Sequence, residues 1–550
     1  MDNITFVKDQ RPHAEEESRD QVSAIATSLH GTSETHEPKL PRNFSCAGSS
    51  LAPDPAANGG FEEERETTGT ELKGVITGAN NGDTFEVTFD SDEDPLCPRS
   101  IHFVRKWAIV LVICTGSTCV TCTSSIYTTT YSQMVSELGK STLILTIGLS
   151  SFVLGIGLGP LLTGPLSEFF GRRPIYLVSW TLFIVWNIPS AVAKNIETMI
   201  IARFFQGFAG GTFLAVAGGT VVDIFSHDRI QMPMAFVTLA PFIGPPLGPL
   251  LGGFINYFAS WRWTHYVVII WSTLLLIALV SFAPETYPPI KLRDKARKLR
   301  METADDRYRA PIEMVSSSGR RSLLLSLLRP LQILLSEPMC FILNLYSAIL
   351  LGILYLFFEA FPLVFGTNHG MNQWQTGLAF LGIIIGMLVA TASSPIWVNI
   401  RQRLRSKQGN SPGRSAPEHR LPPTILGSVI VPISLFWFGW TTDSGVHWMI
   451  PIMGSALFGC GIILVFNGVF TFLVDAYPRY AASTLAGNSL VRCTFAATFP
   501  LFGVKMYEAL GYQWATNLLA FLTVTLMPFP WVFFKYGKAL RKCSRFAVEG

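Results

Sequence analysis

Three ionisable side chains interrupt stretches that are otherwise apolar: Arg203, Glu359 and Arg492. A charge in such a place is costly, so it must face a partner, reach a membrane surface or meet water. Glu359 stands in Phe357-Phe358-Glu359-Ala360-Phe361. Facing an internal cavity, it can take up and release a proton and attract cationic cargo. Near the outer rim it is an interfacial anchor instead, and both readings stand. Arg203 either faces a partner or snorkels to the surface. Arg492 follows Asn488 by one helical turn, so the two share a face. Asn344, Tyr346 and Asn467 are further polar groups that either line a cavity or tie helices together.

Other chemistries are poorly supported. No His, Cys and acid residues fall at metal-ligand or nucleophile spacing, so an enzyme is the least favoured reading. Cys119-Val-Thr-Cys122 has redox spacing but lies in an apolar helix, where small packing residues are expected. Leu138-Gly139-Lys140-Ser141-Thr142 resembles the end of a phosphate loop, yet Met134 occupies the position of its first glycine. ATP is therefore set aside, which leaves an ion gradient as the expected source of energy for any work this chain does, with no cofactor. A net charge of +4 gives no reason to expect a nucleic-acid partner.

The elements that must position these residues follow from composition. Only 15% of the 550 residues are charged and 49% are hydrophobic, against roughly 25% charged in soluble domains. Uncharged stretches long enough to cross a bilayer fall near 107–127, 143–163, 174–193, 198–222, 232–257 and 264–283. A second set falls near 338–362, 374–397, 423–440, 447–474, 483–504 and 514–534. The expectation is an all-α integral membrane protein of twelve helices, in two six-helix bundles (101–283 and 338–534) around a central cavity. Residues 1–100 are acidic and rich in Ser, Thr and Gly, which predicts a disordered tail. The stretch 284–337 is a linker with eleven Lys and Arg, 398–422 holds six, and the segment after 534 holds five. The opposite loops hold only Lys140, Lys194 and Arg262, so both termini are expected in the cytoplasm. Arg321 to Arg329 is either a helix on the membrane surface or solvated linker.

Span five carries Gly244-Pro-Pro-Leu-Gly248-Pro249-Leu-Leu-Gly252-Gly253. Glycines at every fourth position leave a bare stripe for a close neighbour, and Pro249 removes a hydrogen bond and bends the helix. This helix is expected to act as a pivot. The two halves also echo one another. Asp223 and Asp475 close spans four and ten, Gly207 and Gly459 match at the same offset of 252, and Gly148 and Gly377 open similar stretches. The two aspartates are read as structural partners for basic loops. A duplicated six-helix unit around a midplane cavity is a common plan of secondary transporters.

Gly164-Pro-Leu-Ser-Glu168-Phe-Phe-Gly171-Arg172-Arg173 resembles the loop signature of the major facilitator superfamily, and Arg203-Phe-Phe-Gln206-Gly207 resembles its span-four signature. The Gly244 to Gly253 stretch is similar to the glycine-proline signature of its antiporter branch. Ala283-Pro-Glu285-Thr-Tyr287 and Val474-Asp475-Ala-Tyr-Pro resemble the fungal twelve-span drug:proton antiporters. The resemblance implies export of small amphipathic or hydrophobic drugs, toxins or metabolites, a role for Arg203 in proton coupling, and a monomer in the plasma or vacuolar membrane. It also implies a latch in which Glu168 pairs with the second half. Glu168 replaces the usual Asp, Phe169 an Arg, and Thr128-Thr-Thr-Tyr131 the proline that ends span one in many relatives. Uptake of a nutrient or polyamine, and a non-transporting sensor acting through the tail, are the alternatives.

Overall fold

The computed structural model describes residues 85–90, 94–226, 229–314, 329–407, 416–542 and 544. Arg321 to Leu328, and with them most of the proposed surface helix, lie outside these residues, as does the tail before 85. Six apolar helices come first: Phe103–Leu138, Thr142–Phe170, Arg172–Ala191, Ile196–Ile224, Gln231–Phe258 and Arg262–Phe282. Spans seven to ten are Pro338–Asn368, Gln373–Ser406, Pro422–Trp440 and Met449–Ala476. The last apolar stretch, Ala481–Lys542, has 62 residues, about twice what a tilted bilayer helix needs. It breaks at Gly511, whose φ of 76° a side chain would resist. Spans eleven and twelve are its two arms, so twelve spans result.

Local sequence accounts for the edges. Asn195 accepts the Thr198 amide and starts span four, as an N-cap does. Asn372 and Gln375 form a capping box that starts span eight. Span seven differs from its expected boundary. Its α-helix ends at Phe361, but a wider π-helical stretch continues from Pro362 to Asn368. Glu359 therefore lies deeper than an end near 362 implies.

The duplication read from the sequence reappears as matched packing. A Cβ on Gly207 would strike the Phe152 carbonyl of span two, and one on Gly459 would strike the Ile383 carbonyl of span eight. Each glycine lets two backbones touch where a larger residue would hold them apart. The ion pairs repeat too: Arg172 Nε lies 3.2 Å from Asp223, and Arg420 Nε lies 2.6 Å from Asp475. These pairs, linker residues 284–314, and residues 85–90 and 94–100 share one end of the bundle, called here the basic end.

Residues 85–100 depart from the expected tail. Strand β1 (Phe85–Glu86) pairs in parallel with β2 (Tyr308–Arg309) of the linker. Val87, Ala296 and Ala310 form a small core beneath them. The alternation Phe85-Glu-Val87 is too short to stand alone, and its partner lies more than two hundred residues away, out of reach of a local reading. Lys295, in the linker helix Pro288–Thr303, reaches Asp90 at 3.0 Å and Asp94 at 2.8 Å. Its hydrogen bond holds the Asp94 carboxyl below the usual carboxylate range, against the opposing effect of burial. A lowered carboxylate stabilises the folded clasp at neutral pH and ceases to as pH falls through its titration. Acidification and Lys295→Ala are each expected to speed hydrogen exchange, taken relative to the intrinsic rate at the same pH, at the Phe85 and Val87 amides, which bond Arg307 and Arg309 carbonyls. Unchanged exchange in both cases would rule the ion pair out as the clasp.

Candidate functional site at the interface between the halves

Arg203 is fully buried. Its Nε donates to the Gly148 carbonyl at 3.0 Å, and Nη2 donates to those of Thr123 and Ser124 at 3.2 and 3.1 Å. Span one tightens into a 3-10 turn at Tyr127–Thr130, and the Tyr127 amide turns to Ser125. That shift leaves the Thr123 carbonyl available to the guanidinium. The Tyr127 and Phe152 rings cover it at 4.0 and 4.7 Å. Arg203 does not snorkel; it ties spans one, two and four together. Arg203→Lys keeps the charge but cannot fork to carbonyls on two helices. Transport per molecule in proteoliposomes is expected to fall by about tenfold or more, since each net hydrogen bond is worth about 1 kcal/mol. Wild-type rates would show that the fork is dispensable.

Ser124 also faces the second half, where its hydroxyl meets that of Tyr355 on span seven at 2.7 Å. Glu359 lies one turn beyond Tyr355, on the same face. It is 7% exposed, and Oε1 is buried without a hydrogen-bond partner. Arg203, the Ser124–Tyr355 contact and this carboxylate are therefore neighbours along the seam between spans one and seven, though no described hydrogen bond joins Tyr355 to Glu359. Gln206, one turn from Arg203, is fully buried with neither amide atom partnered. Sequence reading quoted Gln206 only as part of a motif and passed over Ser124, Tyr127 and Tyr355. Hydroxyls in a span look like packing until their partner helix is known.

A second polar group sits within the second half. Asn488 donates to Asn344 at 2.7 Å and to Ser347 at 2.8 Å, while Asn344 donates to the Cys340 sulfur at 3.2 Å. Asn488 Oδ1 and the Tyr346 hydroxyl remain without partners. Asn467 is partly buried on span ten. Arg492 faces Phe470 at 4.8 Å, and Phe466 and Phe242 each at 5.6 Å. Rings over a cation contribute about 0.5–2 kcal/mol, but they leave the N–H donors unanswered. Cys119 and Cys122 are buried free thiols.

Span five explains how the halves meet. A Cβ on Gly244 or Gly248 would collide with Thr121 or Ser125 of span one, and one on Gly252 with Thr129. The stripe thus joins span five to span one within the first half. Gly253 points the other way: its Cβ would lie 2.9 Å from the Gln373 carbonyl of span eight, and Gly377 would meet the Pro249 carbonyl at 2.7 Å. Gln373 also donates to the Thr129 carbonyl at 2.5 Å, and Ser150 to that of Ala497 at 2.5 Å. With Ser124 and Tyr355, these contacts hold the halves together towards the end opposite the basic one.

At the basic end the signature loop acts within one half. Arg172 donates to Ser167 at 2.6 Å as well as to Asp223, and lies 4.8 Å from the Tyr287 ring. Glu285 accepts the Arg172 and Arg173 amides at 2.9 and 3.1 Å, capping span three. Gly171 has φ 95° and its Cβ would strike Glu285, whereas Gly164 faces open space. Glu168 is exposed and bonds to no described residue. Among the described residues, the expected pairing of Glu168 with the second half is therefore not made in this conformation.

Two packed six-helix bundles, with charged groups buried where they join, define a membrane transporter. The family model described as Major Facilitator Superfamily matches residues 113–500, and this chain belongs to that superfamily. The efflux pump atB of Aspergillus terreus is 46% identical over 467 residues, covering 84% of this chain and 90% of that protein. The "Probable drug/proton antiporter YHK8" of Saccharomyces cerevisiae is 39% identical over 468 residues, covering 84% and 90%. The xylose transporter XylE from E. coli, in a partially occluded inward open conformation, aligns with TM-score 0.55 at 16% identity, covering 78% of this chain and 99% of that one. Likeness at that identity shows the fold alone.

Proposed function

We propose that this chain exports small amphipathic or hydrophobic drugs, toxins or secondary metabolites in exchange for protons, by alternating access. The observation that carries the reading is Glu359: a buried carboxylate with an unpartnered oxygen, one turn from the Ser124–Tyr355 contact between the halves. A proton taken up there neutralises the charge, and its release restores it, so the site's polarity changes as the halves rearrange. Arg203 holds the facing helices in register and keeps a fixed positive charge near the seam. The relatives named as efflux pump and drug/proton antiporter support the direction and the coupling ion.

The protein acts as a monomer in the plasma membrane, with its basic end in the cytoplasm. The Lys and Arg of the linker, of 398–422 and of the C-terminal segment support this orientation. The arrangement described above is then closed towards the outside. In the opposite state the basic end closes and brings Glu168 against the second half, while Arg172 and Arg173 stay anchored on Asp223 and Glu285.

The test is accumulation of a panel of radiolabelled compounds in cells that do or do not express the protein. Expression should lower accumulation of some compounds, and collapsing the proton gradient should restore it. If no compound responds, or the gradient makes no difference, export by proton exchange is wrong. A gain in accumulation would instead support the uptake reading.

A further inference from the structure

We propose that Arg492, walled by Phe242, Phe466 and Phe470, receives the anionic group of a flat aromatic organic acid carried as cargo. The inference rests on the transporter reading and specifies its cargo.

Two arginines lie inside the apolar spans, and the structure treats them differently. Arg203 is covered by rings and bonded to three carbonyl oxygens, with its Nη1 left without a partner among the described residues. Arg492 has the rings but no oxygen. Its Nε is buried without a partner, and it forms no hydrogen bond or ion pair with any described residue. A guanidinium does not shed its proton under these conditions. What it lacks is a planar pair of acceptor oxygens, which is what a carboxylate offers.

The rings suit the rest of such a molecule. Phe466 and Phe470 are nearly parallel, at 6° with centroids 5.8 Å apart, and Phe242 stacks on Phe466 at 4.5 Å and 22°. At these separations no further ring fits between them, but the stack ends on the partly buried Phe470, whose free face is where another flat ring can lie. Asn488, one turn before Arg492, has an unpartnered carbonyl oxygen for a cargo hydroxyl. Phe242 belongs to the first half and the other groups to the second. An acid held between them therefore bridges the halves, and its contacts change when they move.

The probes are 2-naphthoate and its neutral counterpart 2-naphthamide, bound to the full-length protein in nanodiscs and followed by equilibrium dialysis. The wild type should bind the acid about tenfold or more tighter than the amide, the scale of a charge-assisted pair. Arg492→Gln should reduce that preference to within about twofold while leaving amide binding in place. Arg492→Lys, which keeps the charge without the fork, should retain an intermediate preference and so controls for folding. The proposal is overturned if the wild type does not prefer the acid, binds neither probe at millimolar concentration, or if Arg492→Gln keeps the preference. Proton-driven export of neutral compounds would survive each of those results, which separates this failure from failure of the export reading.

Discussion

Gly253→Val is expected to leave the protein folded in the membrane yet hold the bundle open at the end away from the linker, with transport reduced by about tenfold or more. The absent Cβ of Gly253 would sit 2.9 Å from the Gln373 carbonyl and 3.4 Å from the Cα atoms of Trp374 and Gly377. All three belong to the other half. Overpacking there costs roughly 1–3 kcal/mol, and that cost arises only in the state where the halves touch. A difference of 1.4 kcal/mol already shifts a two-state population tenfold. Gly377→Val, against Pro249, should behave alike. Gly248→Val is the contrast: its Cβ meets Ser125 and the Ile126 amide within its own half, so it should lower the yield of folded protein in any state. Hydrogen exchange over 126–131 and 369–380 checks the first claim, and these segments should exchange faster in Gly253→Val. If exchange is unchanged, Gly253 is not the point of closure.

Glu359→Gln should abolish concentrative export while permitting downhill exchange of cargo. The change is nearly isosteric at a buried position, so folding should survive. One proton crossing 100 mV supplies about 2.3 kcal/mol, and two pH units add about 2.7. Together these sustain a cargo gradient of several thousandfold at roughly 1.4 kcal/mol per decade. Without a titrating group that gradient should fall to unity. Proteoliposomes with an imposed pH gradient measure it directly. Glu359→Gln liposomes that still concentrate cargo when the gradient is applied would remove Glu359 from the coupling.

Arg203 and Glu359 show where sequence reading reaches and where it stops. Charges at 203 and 359 stand out because the surrounding residues are apolar, so their importance was legible. Their depth was not. Glu359 looked close to a rim because the π-helical Pro362–Asn368 stretch reads as the start of a loop. For Arg203 the choice between snorkelling and burial depended on carbonyls of spans one and two that only the packing brings within reach. Glu168 was paired with the second half by resemblance, and in this conformation it is exposed. The glycine stripe of span five was read as one surface. It is one: Gly244, Gly248 and Gly252 all pack on span one, while Gly253, one residue beyond the stripe, turns to span eight.

Sequence by itself determined the spans, their number, the doubled plan and the basic end, because each rests on a local property: apolar length, charge placement or a recurring offset. Gly207 and Gly459, or Asp223 and Asp475, need no neighbour to be recognised as pairs. Only the tertiary structure decided which helices meet and so which partner each polar group finds. Lipid and protein interior are equally apolar, so hydropathy cannot say which face of a span turns inward. That is why Arg203 found carbonyls, Asp223 found Arg172, and Arg492 was left among three rings with no acceptor among the described residues.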